Sequence, residues 1–114
     1  MTTMPKSLSF AVIFVLVSAA LHVIAPLLSG FSSEGLFLVP FGLLYGLIAM
    51  GLMRNMRWLA WVTFFILMFG GIFAMASAMS AITVPSWIYS FIAAADWAGA
   101  ACLFGYLWNP KPAI

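Results

Sequence analysis

Four apolar runs, each about as long as a bilayer's hydrocarbon core is thick, leave this chain one kind of solvent. A helix needs about 20 apolar residues to cross roughly 30 Å of hydrocarbon. The sequence offers such runs at about 8–28, 35–53, 58–80 and 85–108. Lys6 precedes the first run; Ser29, Gly30, Ser32, Ser33 and Glu34 separate the first two. Arg54 and Arg57 separate the second from the third, Pro85 suits the first turn of the fourth, and Asn109-Pro110-Lys111 follows it. Of 114 residues 67% are hydrophobic and 5% charged. Soluble domains average roughly 45–50% and about 25%, so a water-soluble enzyme is excluded. Four Lys and Arg side chains are too few for a phosphate-binding stripe, and no nucleic-acid partner is expected. A single cysteine, Cys102, rules out an internal disulfide, a dithiol redox pair and a thiolate zinc site.

Short connections force neighbouring helices to run antiparallel. The expected fold is therefore an all-α integral membrane protein, an antiparallel up-down bundle of four transmembrane helices forming a single domain over 1–114. After four crossings Lys6, Arg54, Arg57 and Lys111 share one face, and Glu34 alone marks the other. Lys and Arg stay on the cytoplasmic side, so both termini are expected in the cytoplasm of a bacterial cell, with the bundle in its inner membrane. Trp58, Trp61, Trp87 and Trp108 fall near helix ends, where an indole keeps its ring in lipid and its N–H near headgroups. Trp97 lies deep in the fourth segment. Ser18-Ala19-Ala20 after an apolar run resembles a signal-peptide cleavage site. The run continues to Leu28, which favours a retained first span.

Helices in lipid associate by close packing, and small residues at four-residue spacing permit it. Gly42 and Gly46 provide that spacing in the second segment, and Gly70, Ala74 and Ala78 in the third. The fourth carries small residues on every side, among them Ala98, Gly99 and Gly105, more than one internal neighbour uses. Pro26 and Pro40 deprive the carbonyls of His22 and Leu36 of their helical donors and should bend their helices. Ser29, Ser32 and Ser33 are the expected substitutes.

Two ionisable groups fall inside apolar segments. Asp96 sits near the middle of the fourth, where an Asp costs about 2.5–3.5 kcal/mol to insert. It should therefore face protein, beside Ala93, Gly99 and Ala100. His22 lies about 9 Å and Asp96 about 16 Å from the same face at 1.5 Å per residue. An offset near 7 Å by that count allows the two to share a polar site, with Ser18, Tyr45, Thr63 and Tyr89 as further members. Such a pair suits a proton relay. His22 also suits axial ligation of a flat macrocycle, since Ser18 and Ala19 leave room on its face.

No catalytic constellation is present, and no enzyme activity is expected. Surplus small-residue surface and the absence of an aqueous domain point to an accessory subunit of a larger inner-membrane complex, photosynthetic or respiratory. Its partners would be membrane lipid and other integral subunits. It requires no cofactor, although a weakly bound pigment, quinone or lipid fits the reading. The alternative is a small proton-coupled transporter acting as a dimer. Size and helix count resemble the small multidrug resistance exporters. That family carries its essential carboxylate in the first helix, whereas here the buried acid is Asp96 in the fourth.

Overall fold

A computed structural model describes residues 5–108; Lys111 and the Asn109-Pro110 stop lie outside them. The described residues are all-helical: α1 (Lys6–Leu28), α2 (Ser33–Phe37), α3 (Val39–Met53), α4 (Arg57–Met79) and α5 (Ser86–Trp108). With α2 and α3 taken as one span, four helices among the described residues are long and apolar enough to cross a membrane. The helix ends depart from the sequence reading by one or two residues in most places. Pro85 stands just ahead of α5 and its carbonyl accepts from the Ile88 amide at 3.0 Å.

The second apolar run is broken at Leu38, between α2 and α3. Pro40 is the local cause: it has no N–H to give the carbonyl four residues back, and it takes a first-turn position in α3. Pro26 is accommodated within the last turn of α1. The serines do not fill the gaps assigned to them. Ser29 Oγ donates to the Pro26 carbonyl at 3.2 Å, and Ser32 Oγ accepts from the Gly35 amide at 3.1 Å. The chain leaves α1 through Gly30 and Phe31, both left-handed (φ 69° and 59°), and leaves α3 through Asn55 (φ 58°). Asn tolerates that region because its short polar side chain bonds locally.

Packing does not follow chain order. α1 lies against α3 and α5, α5 lies against α4, and α3 and α4 barely touch although only a short turn joins them. They meet near that turn, where Gly51 leaves room for the Leu59 side chain. Two apolar clusters form the interior. Leu8, Val15, Leu52, Leu67 and Leu103 belong to one; Ala25, Leu38, Val84, Ile88 and Ile92 belong to the other. Arg57 Nη2 donates to the Leu107 carbonyl at 2.9 Å and its guanidinium lies 5.0 Å from the Tyr106 ring centroid. A cation there complements the exposed carbonyls of a helix C-terminus.

The two glycines of the second segment occupy different surroundings. A Cβ on Gly42 would stand 2.9 Å from His22 Cβ and 3.0 Å from the Ala19 carbonyl oxygen, so Gly42 sets the approach of α3 to α1. A Cβ on Gly46 would meet nothing within 4 Å. Gly99 packs α5 against Leu67 and Phe14, while Gly105 meets only Ser7 Oγ, at 3.9 Å. Ala74 is buried, Ala78 and Ala98 are half-buried. Gly42→Val is therefore expected to lower stability in detergent by about 1–3 kcal/mol, the usual range for overpacking. Gly46→Val should leave it within about 0.5 kcal/mol; reversible unfolding followed by circular dichroism separates the two.

Candidate functional site

The only carboxylate inside an apolar segment is met by hydroxyls from two other helices. Asp96, 1% exposed on α5, accepts from Ser18 Oγ of α1 at 2.7 Å through Oδ1, and from Tyr45 Oη of α3 at 3.1 Å through Oδ2. Each carboxylate oxygen keeps a further lone-pair site. α4 contributes by omission: a Cβ on Gly70 would stand 2.7 Å from Tyr45 Oη and 2.8 Å from Asp96 Oδ2. The helix can cross the Tyr45–Asp96 bond only because position 70 has no side chain.

His22 joins this cluster without touching the carboxylate directly. Its Nδ1 lies 2.7 Å from the Ser18 carbonyl oxygen, and its ring centroid is 5.2 Å from that of Tyr45. A carbonyl oxygen only accepts, so Nδ1 must carry the proton. In the neutral imidazole Nε2 is then the acceptor. The sequence-based pairing of His22 with Asp96 thus becomes a four-residue arrangement in which Ser18 and Tyr45 stand between the two. Ser18 bonds both: its hydroxyl goes to Asp96 and its carbonyl to His22.

The other expected members lie elsewhere. Thr63 is fully buried, but its Oγ1 has no hydrogen-bond partner among the described residues. Tyr89 Oη donates to Glu34 Oε2 at 2.8 Å. Glu34 is the centre of a second network that the sequence reading recorded only as a lone surface charge. Its Oε1 accepts from the amides of Thr83 at 2.8 Å and Ile82 at 3.3 Å, and from Thr83 Oγ1 at 2.9 Å. Ser32 Oγ and Thr83 Oγ1 are 2.7 Å apart. This carboxylate ties α2 to the loop before α5. A weak signal for it is in the sequence: an isolated acid one short loop from a helix start, where backbone N–H groups lack helical partners.

A pocket of about 260 Å³ opens where α3 and α4 diverge. Asp96, Tyr45, His22 and Gly70 line it, together with aromatic side chains of which Phe41 and Phe73 are exposed at the outer surfaces of α3 and α4. Its mouth is thus on the flank of the bundle, facing the side from which lipid would approach. No group of three or more His, Cys, Asp or Glu is assembled to hold a metal among the described residues. His22 offers at most one axial bond, through Nε2. Trp97, placed deep by sequence, donates Nε1 to the Met68 carbonyl at 3.4 Å and packs on Gly71.

The chain matches no protein-family model, no curated protein and no solved structure. The site is therefore read from its chemistry.

Two measurements check this geometry. Tyr45→Phe is expected to cost about 0.6 kcal/mol of stability, the average for an interhelical hydrogen bond in a membrane protein, and Gly70→Ala more, because it displaces the same bond. Glu34→Gln should raise amide exchange at Ile82, Thr83 and Val84 while leaving exchange around Ser18 and Tyr45 unchanged.

Proposed function

We propose that this protein crosses the bacterial cytoplasmic membrane four times as an antiparallel up-down bundle with both termini in the cytoplasm. There it serves as a non-catalytic accessory subunit of a larger membrane complex, holding a small lipid-phase molecule beside Asp96. The observation that carries the reading is the flank pocket with a hydrogen-bonded carboxylate at its floor and aromatic walls. Ligand sites are typically concave, mostly apolar and furnished with a few convergent polar groups. The antiparallel path is supported by contacts at both ends: Arg57 with Leu107 at one, Glu34 with Thr83 at the other. The termini follow from Lys6, Arg54 and Arg57 gathering at one end.

The subunit part of the reading is supported by the outward face of α5. Ala94, Ala101 and Gly105 are all exposed there, and small exposed residues let another helix backbone approach closely. An energy-converting complex, photosynthetic or respiratory, is the narrower form of the proposal. A second reading, a dimeric proton-coupled transporter, is favoured by one feature: Asp96 and His22 line the same pocket, and both are groups that carry protons in membranes.

Native mass determination after gentle solubilisation distinguishes them. A stoichiometric association with larger membrane proteins is expected, with Asp96→Asn lowering the amount assembled. A particle of two copies alone, moving a solute driven by a proton gradient in liposomes and losing that activity in Asp96→Asn, would favour the transporter.

A further inference from the structure

Around Asp96 the polar groups facing the pocket share one property: they accept hydrogen bonds, and the one hydroxyl left to donate in the lining, that of Ser77, lies about two helical turns along α4 from Gly70. Asp96 is an acceptor when ionised, with lone pairs left after Ser18 and Tyr45 are bound. Tyr45 spends its proton on Asp96 and presents only oxygen lone pairs. His22 spends its Nδ1 proton on the Ser18 carbonyl and presents Nε2. Tyr89, also on the wall, spends its proton on Glu34. Among the described residues the lining contains no Lys or Arg. An anionic headgroup would meet the Asp96 carboxylate with no cation to balance it, and a molecule that only accepts would find its donor in Ser77, away from the Asp96 end.

A complementary ligand therefore presents donors. It enters between α3 and α4, past Phe41 and Phe73, through apolar surface. Crossing hydrocarbon is costly for a charged group, which favours a neutral donor such as a hydroxyl over an ammonium. Two separate acceptors, Asp96 and His22 Nε2, call for two hydroxyls held apart by a rigid body. Aromatic walls favour a flat ring, which packs edge-to-face or offset against them. An engineered cavity of about 150 Å³ takes benzene; the present pocket, about 260 Å³, admits a substituted ring.

We infer that the flank pocket binds a lipid-dissolved dihydroxybenzene, the reduced form of a quinone-type ring, in preference to its oxidised dicarbonyl form. This rests on the reading of the pocket as a ligand site and names what that site selects. The preference follows from hydrogen-bond polarity at the Asp96 end: the reduced ring donates to Asp96 and His22, whereas the oxidised ring brings only acceptors to that pair.

The test uses the full chain in lipid nanodiscs under anaerobic conditions, with titration calorimetry of three probes. These are a decyl-substituted benzoquinol, the matching decyl-benzoquinone, and decylammonium. The quinol is expected to bind at least about tenfold more tightly than the quinone, the worth of one or two net hydrogen bonds. Asp96→Asn adds an amide N–H₂ donor at the floor and is expected to reverse or abolish the preference. Ser77→Thr, which keeps the hydroxyl and adds a methyl at a half-buried wall position remote from the Asp96 hydrogen bonds, should weaken both ring probes together by filling space. Amide exchange on each variant verifies that the fold is retained. Equal affinity for quinol and quinone, or a preference unchanged in folded Asp96→Asn, would overturn the inference. Asp96-dependent binding of decylammonium without the quinol would also overturn it while leaving the ligand site standing. If none of the three probes binds, the site reading falls with it.

Discussion

A carboxyl group on an apolar chain must find hydrogen-bond donors on its neighbours, and the packing of this protein is arranged around how Asp96 finds them. Ser18 arrives from α1 and Tyr45 from α3, so one side chain on α5 ties three helices together. α4 can pass only because Gly70 lacks a side chain. Each oxygen of the carboxylate is satisfied by a neutral hydroxyl. Such bonds across membrane helices are individually modest, about 0.6 kcal/mol on average. Their effect is more on register than on total stability. A slide of α1 or α3 by one turn, about 5.4 Å, would remove a donor and leave a buried oxygen unsatisfied.

Around that tie the helices close unevenly. α1 packs against α3 and α5, and α5 against α4, which leaves α3 and α4 as the neighbouring pair that closes least. The turn holding Asn55 brings α3 and α4 together at one end, where Leu59 fits over Gly51. Away from it they separate, and the gap becomes the pocket. At the far end Glu34 collects the amides of the loop ahead of α5 and the hydroxyl of Tyr89. This network fixes the rim of the pocket, since Tyr89 is part of its wall. The two carboxylates of the chain thus have distinct structural roles: one orders the interior, the other the end of the molecule.

Much of this architecture was legible in the sequence, because the hydrophobic runs and their charged boundaries are one-dimensional signals. The inward orientation of Asp96 was legible too, since the cost of exposing a carboxyl to lipid leaves little choice. What could not be read was which faces meet. Gly42 and Gly46 form one spacing pattern, yet only Gly42 lies against another helix; helix rotation, which the pattern does not encode, makes the difference. Counting rise per residue brought His22 and Asp96 near one another but could not show that Ser18 bridges them. Thr63 and Tyr89 share a helix face with Gly70 and Asp96 but lie seven residues, about 10.5 Å, along the axis from them, and that distance takes them away from the cluster. Short loops implied that neighbouring helices run antiparallel; they carried no information on the separation of α3 from α4, because a tight turn fixes proximity at one end only.

The central claim is that the Asp96 cluster stands at the floor of a pocket open to lipid on the flank of the bundle. Solid-state NMR in bilayers containing a nitroxide near the end of a fatty-acid chain tests it directly. The expected result is strong broadening of Gly70, which lines the pocket, and little of the buried Ala100, which is also well inside its helix. A water-soluble paramagnetic chelate should broaden neither. If the chelate broadened Gly70, or if the lipid-borne radical left Gly70 as sharp as Ala100, the pocket would not open where the helices place it.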